Sequence, residues 1–338
     1  MNLVTGATGH IGNVLVRALL RRGERVRALV RPGKTPVAVE GLDVEIVSGD
    51  ILDVGSLEDA MRGIDVVYHL AAKISLLPGP DAETERINYG GTCNILEAIR
   101  RTQVRRLVYA SSIYSLKKPT DGIPIDETQP FEADQCQGAY DASKARASLE
   151  VQRAVAEGLD AVLICPTAVA GPYDFQDSEA GSAIRLYMRP GLKFYVEGAY
   201  DFVDVRDVAD GFILAATKGR RGETYILGGD RMTVREVAET VWETANCRYP
   251  SIKVPLGLAY FIAGLMQLYD ELTGAKPFFT SYSLDAMCSN SFISHAKAVQ
   301  ELGFSPRPAR EAIVDSVRWL QALKEGETFI ECKMEATT

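Results

Sequence analysis

Tyr140 and Lys144 stand four residues apart in Tyr140-Asp141-Ala142-Ser143-Lys144, where a stretch with helical spacing begins. At 3.6 residues per turn the two side chains share a helix face. A phenol ordinarily has a pKa of about 10 and is a poor acid or base near neutrality. A neighbouring ammonium favours the phenolate and lowers that value. Such a pair can give a proton to a substrate oxygen or take one from it. Upstream, a strand-like run over 106–110 leads into Ser111 and Ser112. Hydroxyls at the carboxyl end of a sheet strand sit where open α/β sheets bind ligands. Tyr and Lys four apart also occur on many exposed helices, so the order of these features along the chain is what gives the pattern weight.

A second constellation stands ahead of the first. Thr5-Gly6-Ala7-Thr8-Gly9-His10-Ile11-Gly12 carries three glycines at three-residue spacing, between an apolar strand and an amphipathic helix. Gly6 permits a tight turn, Gly9 lets backbone approach a pyrophosphate, and Gly12 allows close helix–strand packing. The free N–H groups of the helix N-terminus then meet the anion. Thr8, His10 and Ile11 lie between the glycines and join them as candidate cofactor contacts. His10 is expected to face solvent or the cofactor phosphates. The second strand ends in Arg31, with Lys34 close behind and no Asp or Glu at that point. A basic residue there suits a 2′-phosphate and an acidic one a ribose hydroxyl, so NADP(H) is favoured and NAD(H) is the alternative. The same two residues also fit a solvated basic turn.

These groups need a scaffold, and the chain alternates strand and helix patterns through its first half. Strands are expected at 2–5, 26–30, 44–46, 64–70, 106–110 and 161–165. Helices are expected at 10–22, from Ser56 as cap to Arg62, at 83–101 and at 140–157. Such alternation implies parallel βαβ units in an α/β fold, a Rossmann doubly wound parallel sheet. The expected division is a dinucleotide-binding domain over 1–174 and a smaller, mainly substrate-binding lobe over 175–322 whose segments return in part to the sheet. A tail over 323–338 follows, poorly ordered beyond Glu325. Thr233 and Glu236 form a capping-box pattern for a helix over 234–245.

Composition narrows the function classes. The 338 residues are 46% hydrophobic and 24% charged, enough to bury a full core. A net charge of −8 disfavours nucleic acid as a partner. Six scattered cysteines without a C-x-x-C pair read as reduced thiols, with no metal site expected. With the first strand starting at Asn2, no signal peptide is expected and the cytoplasm is the expected location. The apolar run 254–266 is too short to span a membrane. Its length favours a buried helix of the smaller lobe. A lid over the substrate, or an edge that touches membrane lipid, are the other readings.

Taken together, the motifs resemble those of the extended short-chain dehydrogenases/reductases, which include dihydroflavonol reductases, bacterial 3β-hydroxysteroid-dehydrogenase-like proteins and nucleotide-sugar epimerases. The resemblance covers residues 1–322 and lies nearest the first two groups. Beyond the glycine loop, Ser48-Gly49-Asp50-Ile51 resembles the adenine-binding strand end. His69-Leu70-Ala71-Ala72 matches the strand beside the cofactor, and Lys73 after it is a candidate contact to nicotinamide or substrate. Asn88-Tyr89-Gly90-Gly91-Thr92 resembles the family's helix segment, with Asn88 supporting the central strands. The resemblance gives Ser112 the catalytic serine position, with Ser111 as the fallback. It makes Tyr140 the proton donor, and Lys144 the group that binds ribose and lowers the tyrosine pKa. Cys165-Pro166-Thr167-Ala168-Val169 resembles the start of the loop that holds nicotinamide. Segments 202–209 and 294–306 resemble two further family signatures. His69 and His295 are expected to be structural.

One departure bears on substrate. Nucleotide-sugar members usually carry an Arg before the Asp-Phe of the first of those signatures, gripping a substrate phosphate. Tyr200-Asp201-Phe202 stands here, although Arg185 or Arg189 could substitute. The expectation is therefore an NAD(P)(H)-dependent oxidoreductase acting on a ketone or secondary alcohol of a small, mostly apolar substrate, as a homodimer. A nucleotide-sugar epimerase or dehydratase with tightly held NAD is the alternative. A non-enzymatic dinucleotide-sensing regulator is the third reading, disfavoured by the intact Tyr–Lys pair.

Overall fold

The structure is a computed structural model describing residues 1–75, 79–119, 122–134, 136, 138–273 and 281–325. Its first half runs β1 (Asn2–Thr5), α1 (His10–Arg21), β2 (Val26–Val30), β3 (Glu45–Ser48), α2 (Val54–Met61), β4 (Val66–His69), α3 (Ala82–Glu85), α4 (Gly91–Arg101), β5 (Arg106–Ala110), α5 (Ala139–Ala156) and β6 (Ala161–Pro166). The rest runs β7 (Ala168–Ala170), α6 (Glu179–Met188), β8 (Lys193–Tyr195), β9 (Ala199–Asp204), α7 (Val205–Lys218), β10 (Thr224–Leu227), β11 (Asp230–Thr233), α8 (Val234–Thr244), β12 (Ser251–Lys253), α9 (Leu256–Thr273), α10 (Ser281–Cys288) and α11 (Ala309–Glu325).

Seven strands form one parallel sheet in the order β10-β6-β5-β4-β1-β2-β3. The fold is thus the expected Rossmann-like α/β sandwich. Successive residues of a strand enter opposite layers. Leu3 packs with Leu57 and Ile95 on one face, and Val4 with Leu15 and Phe212 on the other. Burial on both faces explains why these strands read as unbroken apolar runs. Strand order reverses between β1 and β4. The glycine loop leaves β1 at that switch point, where such sheets bind ligands.

β10 joins this sheet beside β6, so a segment late in the chain completes it. The three-stranded sheet β11-β9-β7 and the pair β12-β8 stand apart. The Thr233–Glu236 capping box is present and opens α8. In the 202–209 signature, Asp204 is fully buried, caps α7 and is bridged by Arg206 to Asp315 of α11. Arg307 grips Asp207. That signature therefore fastens α7 to the C-terminal segment.

Three local expectations are corrected. Asp53, not Ser56, caps α2 by accepting from the Gly55 N–H, and the Ser56 hydroxyl is instead bonded to the Asp50 backbone. The helix expected at 83–101 starts at Ala82 under an Asp81 cap and passes through a π-turn, Arg86–Gly90, into α4. The apolar run 254–266 is not a buried helix. α9 buries Ala259 and Ala263 but leaves Leu258, Phe261 and Leu265 at least half exposed. An all-round apolar helix gives periodicity no face to choose. The segment beyond Glu325 lies outside the described residues.

Candidate active site

The glycine loop is set by sterics. Gly6 has φ of +70°, and a Cβ on it would lie 2.7 Å from the Ala71 nitrogen. A Cβ on Gly12 would lie 2.1 Å from the Gly6 carbonyl oxygen. β1, the start of α1 and the chain after β4 thus approach more closely than any side chain permits. Gly9 caps α1 with no side-chain acceptor, and the first turn holds no acidic residue. The N–H groups at this end are left for an anion. Thr8 borders a cavity of about 380 Å³, with Thr35, Ala38, Phe175 and Arg185 on its wall. Ile11 is partly buried against the core. These features fit a dinucleotide pyrophosphate.

His10 opens α1 and is partly buried. Its Nε2 lies 3.0 Å from the Pro172 carbonyl oxygen, and burial lowers its pKa despite Asp174 nearby. It ties the start of α1 to the loop after β7. Arg31 and Lys34 are exposed in the turn that follows β2. Asp50 turns its carboxylate to the Leu52 N–H, and Ile51 is buried against Gly91.

The residues after β4 divide sharply between backbone and side chain. Leu70 packs on the core and Ala71 donates its N–H to the Thr5 hydroxyl; Ala72 follows. The Lys73 ammonium is paired with Asp81 and Glu83. Its backbone, by contrast, is clamped at both ends by the buried Asn88 side chain. Asn88 also donates to Ser143 Oγ at 3.0 Å, and Ser143 donates to the Tyr140 carbonyl. Asn88 thereby couples the chain beside β4 to the first turn of α5.

Ser111 and Ser112, adjacent in sequence, face different surroundings. Ser111 is locked between Ser115 Oγ at 2.8 Å and Ser148 Oγ at 2.6 Å. Ser112 accepts from the Tyr114 N–H and interacts through its hydroxyl with the Tyr140 phenol. Burial pushes Tyr140 up to about 12, with Ser112 pulling it back and the Asp141 carboxylate adding to the rise. Lys144 is buried; its ammonium donates to the Ala110 carbonyl and lies 4.5 Å from the centre of the Tyr109 ring. Burial pushes it down to about 7. The expected lowering of the tyrosine pKa by Lys144 is therefore corrected. Desolvation is the largest influence on the phenol, and the Lys144 ammonium is engaged at the end of β5.

Pro166 closes β6, and Thr167, Ala168 and Val169 carry the chain into β7. Thr167 is buried, with its hydroxyl toward the Asp201 carboxylate. It borders a narrow cleft with Ile113, Tyr114, Ile125 and Tyr200, and with Lys118 and Asn290. The two arginines that could replace the missing phosphate clamp are elsewhere. Arg185 is at the cavity beside Thr8, paired with Asp177, and Arg189 stands near Lys193. His69 is fully structural, hydrogen-bonded to Thr5 and Thr92.

The match to known proteins follows the same residues. Positions 2–228 fit the model of the NAD dependent epimerase/dehydratase family. The chain belongs to that family. It is 34% identical to sterol demethylase protein B of Methylococcus capsulatus, over 94% of this chain and 98% of that protein. It is 33% identical to a Synechocystis protein named for dihydroflavonol 4-reductase, over 94% of each. The solved structure of gox2253 superposes with a TM-score of 0.83 at 35% identity, covering 96% of this chain and 98% of that one. Like other family members, this chain is an NAD(P)-dependent enzyme.

One feature of the family member's site had no signal in its sequence. The Tyr282 hydroxyl of α10 donates to Asp141 Oδ1 at 2.6 Å, and Gly138 leaves room for its ring. Burial pushes the Asp141 carboxyl up to about 6. The two residues are 141 positions apart, and neither spacing nor periodicity joins them.

Proposed function

We propose that this enzyme transfers hydride between NADP(H) and a ketone or secondary alcohol of a small, mostly apolar substrate. The observation that carries the reading is the facing Ser112–Tyr140 hydroxyl pair, at the carboxyl end of β5 on a sheet whose switch point holds the glycine cradle. When bound, the nicotinamide supplies or accepts the hydride. Gly6, Gly9 and Gly12 admit the pyrophosphate, Arg31 and Lys34 favour a 2′-phosphate, and Lys144 holds ribose. Pro166 to Val169 border the nicotinamide end. Ser112 steadies the substrate oxygen and Tyr140 exchanges its proton. With the phenol pushed up to about 12, Tyr140 is protonated near neutrality, the form that donates to a carbonyl oxygen. Oxidation is expected to speed up as pH rises and the phenol ionises.

Ile113, Ile125, Ile293 and Tyr200 give the cleft an apolar part, beside polar Asp201, Ser289 and Ser291, and likeness to a protein named for sterol demethylation supports a mostly apolar substrate. Lys118 and Asn290 suit one polar end. The test is NADPH and NADH oxidation against a panel of lipophilic ketones, beside UDP- and dTDP-sugars. Turnover of ketones alone is expected. Conversion of a nucleotide sugar by protein that retains NAD through purification would establish the epimerase or dehydratase reading instead.

A further inference from the structure

α9 presents apolar side chains to the outside. Over 256–266, Ala259 and Ala263 are buried, packed with Val196 and Leu284. Leu258, Phe261, Ile262 and Leu265 fall at i, i+3, i+4 and i+7, and are 41% to 64% exposed. A helix on a protein surface ordinarily turns such a stripe inward. β12 leads into α9 through Val254 and Pro255. Its Ile252 pairs in register with Phe194 of β8, and both are exposed. Helix and ribbon together make the kind of apolar surface that marks an interaction site.

Charge indicates what covers it. The chain carries −8 overall, yet over 247–269 its only charged residues are Arg248 and Lys253, with Asp270 and Glu271 at the far end of α9. Both are basic and exposed. Exposed Arg189 stands near enough to Lys193 of β8 to disfavour its charge. Glu197 offsets part of this excess through a 2.5 Å pair with Lys253. An apolar stripe with basic residues at its edge complements acyl chains beneath anionic headgroups. A second copy docked through the same face would instead bring two edges carrying Arg248 and Lys253 into one interface, a like-charge cost. No helix among the described residues is long and apolar enough to cross a membrane, so α9 would lie along the surface.

We propose that α9 and the β8/β12 ribbon dock this enzyme reversibly on anionic phospholipid bilayers. The proposal rests on the patch and stands apart from the reading of the substrate. Full-length protein is sedimented with vesicles of phosphatidylcholine, alone and mixed with phosphatidylglycerol. Binding to the mixed vesicles, weakening with salt, is expected. The triple variant Leu258→Ser, Phe261→Ser, Leu265→Ser should bind at least about tenfold more weakly while unfolding at the same temperature. Arg248→Glu with Lys253→Glu should remove the preference for anionic lipid. Equal binding by the triple variant, or no binding to either vesicle, overturns the proposal. So does light scattering that shows a dimer which the triple variant dissociates, because a second copy then covers the face.

Discussion

The glycine cradle and the Tyr200 cleft are specified by different physics. In the cradle, backbone meets backbone, and a Cβ at Gly6 or Gly12 has nowhere to go. In the cleft, side chains from the segment after β5, from β9 and from the segment after α10 meet across long sequence separations. The first arrangement admits one residue type at each position. The second accepts any shape that packs, so it tolerates variation that the cradle does not.

The largest effect that tests this contrast is Gly12→Val. The added atoms have no room beside the Gly6 carbonyl, so dinucleotide affinity should fall by at least about a hundredfold, or the fold should fail. Tyr200→Phe should leave dinucleotide affinity unchanged. Calorimetric titration of both variants decides it, and comparable losses would erase the distinction.

Next in size is the effect of the buried lysine on stability. Lys144 is pushed down to about 7 in the folded protein, from an ordinary value of 10.5. Between those values the unfolded chain binds more protons, so this residue's contribution to stability rises with pH. Below pH 7 the burial penalty is fully present, on the order of a few kcal/mol. Lys144→Met should remove this component and raise the melting temperature at pH 7 more than at pH 10. Parallel melting curves for the two proteins across that range would contradict the assignment.

A smaller effect is expected at the strand end that reads the cofactor. Arg31→Glu should reverse a preference for NADPH over NADH, a change of roughly ten- to a hundredfold for one charge-assisted phosphate contact. Equal or tighter NADH binding by the unaltered protein would show that Arg31 is a solvated turn residue.

The same contrast explains what could be read from sequence. Strands buried on both faces and glycines fixed by backbone clashes leave patterns within a few residues of one another, so β1, α1 and the loop between them were legible. The α2 cap is ambiguous in the sequence because Asp53 and Ser56 are both good acceptors, and only the fold shows Ser56 turned to Asp50. The Tyr–Lys spacing was legible, but the protonation of Tyr140 was not. It depends on burial and on Asp141, which is held from the far end of the chain by Tyr282. Lys73 lies beside the expected cofactor path, yet Asp81 and Glu83, eight and ten residues later, take its charge.

The central claim is that the Ser112–Tyr140 pair moves a proton to and from a substrate oxygen. Tyr140→Phe keeps the ring and its packing while removing the hydroxyl. The decisive measurement is steady-state NADPH oxidation with the best ketone from the panel, for this variant beside the unaltered enzyme, with dinucleotide affinity measured on both. Turnover should fall by about 10²- to 10⁴-fold, the range for losing a general acid–base group, with dinucleotide affinity unchanged. Near-normal turnover by the phenylalanine protein would contradict the account.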